Sequence, residues 1–329
     1  MFFEPIGFDH DRLARLLLVE WGIEVADLSY VPVGFGTHHY RAQESDGVAS
    51  FVNVDELSAK TALGRTGPQV IDGLERALAT AAALGEAGLS FVHGPRRRTN
   101  GCAVAPMGDF AVSVFEFLDG TSHSYGEFPS DALRRRVLAA LGRMHVATEA
   151  VPTDLPRRDS LEIPNRSAFE AARQELDRSW SGGPYAERTR TLVRASTSKI
   201  DHLMARYDTL AATVLSTSDD WVVTHGEPHP GNVMTTVDDE LALIDWDTVA
   251  LAPRERDLWM IEPRDDEDWA AYGVASGANP AAMEAYRLGW ELSEICGYTA
   301  QFHAPHADDE NTRVSWRSLQ NYLTMDPSG

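Results

Sequence analysis

Near residue 118 the pattern of the chain changes, and the fold has to accommodate both parts. Up to that point helical and strand-like segments alternate. DHDRLARLLLVEW, residues 9–21, spaces apolar side chains three and four apart behind an aspartate able to cap the first turn, which predicts a helix. LSYVPVGFGTHHYRAQ and VASFVNVDEL gather β-branched and aromatic residues around glycines and predict strands joined by a glycine turn. VIDGLERALATAAALGEAG, 70–88, is rich in alanine and leucine with Gly88 as a stop, and FAVSVFEFLDG, 110–120, is strand-like until Asp119-Gly120. Beyond it, PSDALRRRVLAALGRMHVAT and most of 166–215 are helical with no comparable strand. Two short strands return at WVVTHG and LALIDWD before helices such as PAAMEAYRLGWELSEICGYTAQF close the chain. The expected architecture is α+β, with a small sheet-rich first lobe and a larger, mostly helical second one.

Composition narrows the classes. At 329 residues the chain suits two lobes of ordinary size. No stretch approaches the roughly 18 uncharged apolar residues of a membrane span. The start, MFFEPIGFDHDR, lacks a basic segment followed by an apolar one, so no secretion signal and a cytoplasmic location are expected. Cys102 and Cys296 stand far apart without metal-ligand spacing. Fifty acidic against 29 basic residues, a net charge of −21, argue against nucleic acid as partner and allow a cationic one. The basic residues are almost all arginine: Lys60 and Lys199 are the only lysines.

The segment VVTHGEPHPGNVM, 222–234, places a carboxylate, Glu227, in a loop between two strands, with Asn232 five residues on and Asp245 at the end of the next hairpin. That order suits phosphoryl transfer. A carboxylate orients the attacking hydroxyl and accepts its proton, while an amide and a second carboxylate offer hard oxygens to Mg²⁺ on the nucleotide phosphates. Each residue alone has an ordinary explanation. Asn232 suits a turn, Asp247 a helix cap, and His225 a structural hydrogen bond.

The set resembles the aminoglycoside phosphotransferase family, small-molecule kinases with a protein-kinase-like bilobal fold. HGEPHPGN, 225–232, is similar to the family's HGDxxxxN; IDWD, 244–247, is its metal loop; LGRMHVAT, 141–148, is similar to its LGxLH helix. APRERDLWMI, 252–261, looks like the corresponding segment of spectinomycin phosphotransferases. The resemblance implies a nucleotide-covering N-lobe over 1–117 and a C-lobe over 118–329 with a helical substrate-binding insertion at about 150–215. It implies Mg²⁺ and ATP, with GTP left open, Glu227 in the place of the catalytic Asp, and Asn232 and Asp245 as metal ligands. The backbone of Glu116, Phe117 and Leu118 becomes the purine-binding hinge, and VGFGTHHY, with Gly34 and Gly36, the turn over the phosphates. His225 and Asp247 are supporting residues, and Asp257 is structural support. The expected substrate is a small hydroxylated molecule bearing an amino group, such as an aminoglycoside or aminocyclitol, which suits antibiotic resistance.

Two departures stand out. Glu227 is longer than Asp by one methylene, roughly 1.5 Å. The strand expected to carry a phosphate-binding lysine reads SFVNVDEL and offers Asn53. Lys60, in VNVDELSAKT, is the candidate replacement, paired with Glu75 of the next helix, with Arg41 as a lesser alternative. The missing lysine keeps a second reading open, a nucleotide-binding or inactive pseudokinase acting as an interaction module.

Overall fold

The computed structural model describes residues 1–45, 47–217, 220–274 and 277–324. Along the chain they form α1 (His10–Trp21), β1 (Val25–Val31), β2 (His38–Glu44), β3 (Ala49–Glu56), α2 (Gly67–Glu86), β4 (Val104–Met107), β5 (Phe110–Glu116), β6 (Gly120–Ser122), α3 (Asp131–Val146) and β7 (Arg157–Arg158). Then follow α4 (Arg166–Gln174), α5 (Ala186–Ala195), α6 (Thr197–Leu215), β8 (Val222–Thr224), β9 (Val233–Thr236), β10 (Leu241–Leu243), β11 (Ala250–Ala252), α7 (Glu255–Ile261), α8 (Asp266–Tyr272), α9 (Pro280–His303) and α10 (Glu310–Thr324). Two compact units share this chain: Met1, Phe3–Asp159 and Ser218–Asn279 form one, and Phe2, Ser160–Thr217 and Pro280–Gly329 the other. Position 118 falls inside the first unit. Among the described residues no helix is long and apolar enough to cross a membrane.

The first unit is built on an antiparallel sheet in the order β1-β2-β3-β5-β4. Side chains alternate across it. One set, Tyr40, Val52, Val54, Val112 and Val114, packs against Leu13, Leu17 and Trp21 of α1 and is buried. Each such side chain contributes roughly 1.5–3 kcal/mol by leaving water. The helix is fixed at both ends, with the Asp9 carboxylate accepting from the Arg12 N–H at 2.8 Å and Gly22 taking the left-handed conformation at φ 71°. The other face carries Asn53, Asp55, Ser113 and Phe115, which line a small pocket together with Leu74 and Leu78 of α2 and the 245–247 segment. A period of two thus divides the same strands between core and site.

After β3 the chain turns through 57–66 onto α2. A Cβ at Gly73 would lie 2.5 Å from the Leu63 carbonyl oxygen, so a bare glycine lets this turn, which carries Lys60, lie flat on the helix. Two smaller sheets, β10-β9-β6 and β7-β11-β8, hold the loops that follow.

The second unit is helical. α9 packs on α4, α5, α6 and α10, and a Cβ at Gly289 would come within 2.9 Å of the Tyr207 ring, so the α6–α9 crossing depends on that glycine. Trp180, Ala172 and Ala186 form a small buried cluster.

Candidate active site

The loop 225–232 leaves β8, and its base is held by one carboxylate. Asp257 of α7 accepts the N–H of His225 at 3.0 Å and of Gly226 at 2.6 Å. His145 of α3 donates its Nε2–H to the same carboxylate at 2.9 Å, and its Nδ1 lies 2.7 Å from the Tyr272 hydroxyl. Burial works against the charge of Asp257, but the His145 bond, its electrostatic attraction and the backbone N–H outweigh it and hold the carboxyl below its ordinary range. Gly226 has φ 100°, a backbone conformation that side chains rarely adopt, so the turn calls for glycine.

His225 is buried and ties the loop to the strand beside it. The Glu227 N–H donates to its Nδ1 at 3.2 Å, and its Nε2 donates to the Ile244 carbonyl at 2.9 Å. Burial lowers its proton affinity, in keeping with this neutral form. It is a bracing residue between the two loops. Asn232, also buried, donates through Nδ2 to the Glu227 carbonyl at 3.0 Å, which leaves its Oδ1 as an acceptor.

Glu227, Asp245 and Asp247 lie in surroundings of another kind. Asp245 adopts φ 64°, a left-handed conformation unusual for a non-glycine residue and worth noting at a site. Burial, then Asp247 and Asp245, push the Glu227 carboxyl up to about 8. Asp245 keeps an exposed surface, yet the surrounding protein, then Asp247, push its carboxyl up to about 7. These acids call for positive charge. Part of it comes from Lys60, whose Nζ lies 2.6 Å from Asp247, 2.9 Å from Asp55 and 2.9 Å from the Thr37 hydroxyl. Burial disfavours the ammonium, but Asp247, Asp55 and Asp245 outweigh it and hold its proton firmly.

The oxygen donors fit a hard divalent cation. Among the described residues no three carboxylate, imidazole or thiol side chains form a closed metal cage. A Mg²⁺ ion suits such an open set, because it takes one or two carboxylates and completes its shell with phosphate oxygens and water.

Other expected site residues fall as follows. Gly34 and Gly36 sit in the β1–β2 connection at φ 69° and 87°, conformations that favour glycine. The Glu116 carbonyl accepts from His93 Nε2 at 2.9 Å and the Phe117 N–H donates to the Ala49 carbonyl at 3.2 Å, so both are engaged within the chain, while Leu118 lies two residues beyond the end of β5. Asn53 Oδ1 accepts from His39 Nδ1 at 2.9 Å, and burial brings that histidine down to about 4, so the pair is neutral. The Arg41 guanidinium lies 4.8 Å over the Phe117 ring.

The expected Lys60–Glu75 pair does not form. Leu74 and Leu78 turn to the pocket, and Glu75, about 100° further round α2, accepts instead the N–H groups of Ala103 and Val104 at 3.0 and 2.8 Å. Sequence reasoning missed the actual partners, Asp247, Asp55 and Thr37. The signal for Asp55 was strand alternation, because it lies two residues beyond Asn53 and therefore on the same face.

A model of the phosphotransferase enzyme family, APH, matches residues 52–290. Protein StrN of Streptomyces griseus is 28% identical over 254 residues, 73% of this chain and 74% of StrN. Spectinomycin phosphotransferase APH(9)-Ia, solved with ADP and spectinomycin, superposes with a TM-score of 0.75 at 17% identity, over 98% of this chain and 96% of its own. Amicoumacin kinase hAmiN, solved with AMP-PNP, Ca²⁺ and Ami, gives 0.60 at 13% identity, over 96% and 93%. At such identities the solved structures share the fold, a bilobal kinase-like α+β architecture. The family match spans more than half of the sequence, including both loops of the site, and the chain belongs to the APH phosphotransferase enzyme family.

Proposed function

We propose that the protein moves the γ-phosphate of ATP, or GTP, to a hydroxyl of a small amino-bearing molecule, in a Mg²⁺-dependent reaction. The carrying observation is the grouping of Glu227, Asn232 and Asp245 on two loops braced by His225 and Asp257. Mg²⁺ would offset phosphate charge, held by the Asp245 carboxylate and the Asn232 Oδ1. Glu227 accepts the proton of the attacking hydroxyl; a carboxyl pushed up toward neutral pH is matched to that task. Gly34 and Gly36 let the β1–β2 turn approach phosphate, and Glu116 to Leu118 are the candidate purine hinge. An amino-bearing substrate is supported by the net charge of −21 and by relatives whose names include spectinomycin and amicoumacin kinases. The same relatives support an antibiotic-modifying role.

The test is transfer of labelled γ-phosphate from ATP in the presence of Mg²⁺ to a panel of aminocyclitols, aminoglycosides and amino sugars. Label on one of them, lost in Glu227→Ala, is the expected result. MgADP binding without transfer to any hydroxyl, water included, would favour the pseudokinase reading.

A further inference from the structure

Lys60 sits where three elements of the site meet. Its contacts come from Thr37 at the end of the glycine turn, from Asp55 on β3 and from Asp247 beyond β10. The side chain is 15% exposed, and the turn that carries it lies against α2 at Gly73. The Asp55 oxygen that faces Lys60 has a second tie, accepting also from the Thr37 hydroxyl at 2.6 Å. Among the described residues Asp247 has no such second tie, so of the two carboxylates it is the easier to release. The neighbouring arginines are tied into the loops: Arg256 donates to Thr224 and to the Thr248 carbonyl, and Arg157 to the Ala62 carbonyl. Lysine is the suitable residue for a contact that changes, being a compact charge with three donors on a flexible four-carbon stem.

Resting on the nucleotide-binding reading above, we propose that Lys60 is an exchangeable counter-ion. In the free protein it neutralises Asp247. When the Mg²⁺-nucleotide enters, the ammonium keeps Asp55 and Thr37 and trades Asp247 for a phosphate oxygen, and Asp247 then faces the divalent cation beside Asp245. The strand position expected to hold the phosphate-binding cation, Asn53, is thereby relieved of that task. The neutral His39–Asn53 pair can occupy it without loss of charge complementarity.

The exchange makes effects of opposite sign. Lys60→Met keeps most of the stem and removes the charge. By calorimetric titration of the full chain, its affinity for Mg²⁺ alone should rise at least threefold, since the competitor for Asp247 is gone. Its affinity for MgADP should fall at least tenfold, and that for adenosine, which has no phosphate, should stay within twofold of wild type. Unchanged MgADP affinity overturns the proposal, as does a parallel loss for adenosine and MgADP, which marks a merely structural lysine. So does an unchanged or weakened response to Mg²⁺ alone. Should Lys60→Met fail to fold, Asn53→Lys/Lys60→Met returns a cation to the same pocket. MgADP binding within about threefold of wild type then supports the proposal, and binding no tighter than adenosine's overturns it. Wild-type protein that binds no MgADP overturns the parent reading, and with it this one, whereas wild-type binding that Lys60→Met leaves intact overturns this one alone.

Discussion

Two groups of acids meet the 225–232 loop, and they differ in what surrounds them. Asp257, at the base, accepts from His145 and from two backbone N–H groups, and its proton affinity is held down. Glu227 and Asp245 belong to a cluster that, among the described residues, has a single ion-paired lysine, and their proton affinities are pushed up to about 8 and 7. A satisfied buried carboxylate is a structural part, since removing a partner costs more than the pair gained. An under-compensated one stores a demand for charge that a cation can meet. Carboxylates therefore do opposite work around one loop, and substitutions on the two sides should have separable consequences.

The largest expected effect is on turnover. Glu227→Ala should lower kcat by about 10²- to 10⁴-fold with nucleotide affinity nearly unchanged, as loss of a general base does. The melting temperature should hold or rise, because a poorly compensated carboxyl is removed. Steady-state kinetics with thermal melting check both halves; normal turnover, or a fall in melting temperature of several degrees, would break the contrast.

Next is the base of the loop. Asp257→Ala strands two buried N–H groups and the His145 Nε2–H, a loss of about 3–5 kcal/mol for a broken buried pair. Against a typical stability of about 5–15 kcal/mol this should move the urea midpoint sharply. A midpoint shift well below that of a buried ion pair would show that Asp257 is not the brace described.

The site loops were legible because their chemistry is local. HGEPHPGN sets its own turn through Gly226, and IDWD follows one short hairpin later, so order along the chain stands in for distance in space. The α+β class was legible as well, from β-branched runs such as ASFVNVDE and the alanine-leucine helix after them. What failed was long-range or rotational. Lys60 meets Asp247 across 187 residues, which no local spacing reports. Glu75 was placed near Lys60 by sequence distance, whereas helical phase turned it to the 103–104 backbone. β4 escaped notice because Pro106 argues against a strand, and it is tolerated there because β4 is the sheet's edge.

A smaller effect is expected at the candidate metal ligands. Asn232→Ala and Asp245→Ala each remove an oxygen ligand, so the Mg²⁺-dependent gain in ADP affinity should shrink by about tenfold, while binding in EDTA stays as in wild type. Titrations with and without Mg²⁺ separate the two quantities. An equal loss in EDTA would place these residues with the brace instead of the cation.

The smallest effect sharpens the comparison from the satisfied side, using an acid far from the chemistry. Asp268 in α8 is buried and accepts from Arg134 and Arg135 of α3 and from the Arg264 N–H at 2.7 Å. Burial raises its proton affinity, but the bonds from Arg134, the Arg264 N–H and Arg135 outweigh that and hold it at about 2, against about 3.9 in an unfolded chain. Because the folded value is the lower, the unfolded state binds more protons as the solution is acidified. The contribution of Asp268 is thus fully present above pH of about 4 and drains away between about 4 and 2. Asp268→Asn should lower stability at neutral pH and flatten the acid limb of the stability curve over that interval. Glu227 and Asp245 bind protons more tightly in the folded state, so they act in a different window, adding stability as the solution is acidified from about pH 8 to about 4. Urea midpoints measured from pH 7 down to pH 2 in wild type and Asp268→Asn check this. Parallel curves would mean that the two arginines are held by packing and that the carboxylate is not what locks α8 to α3.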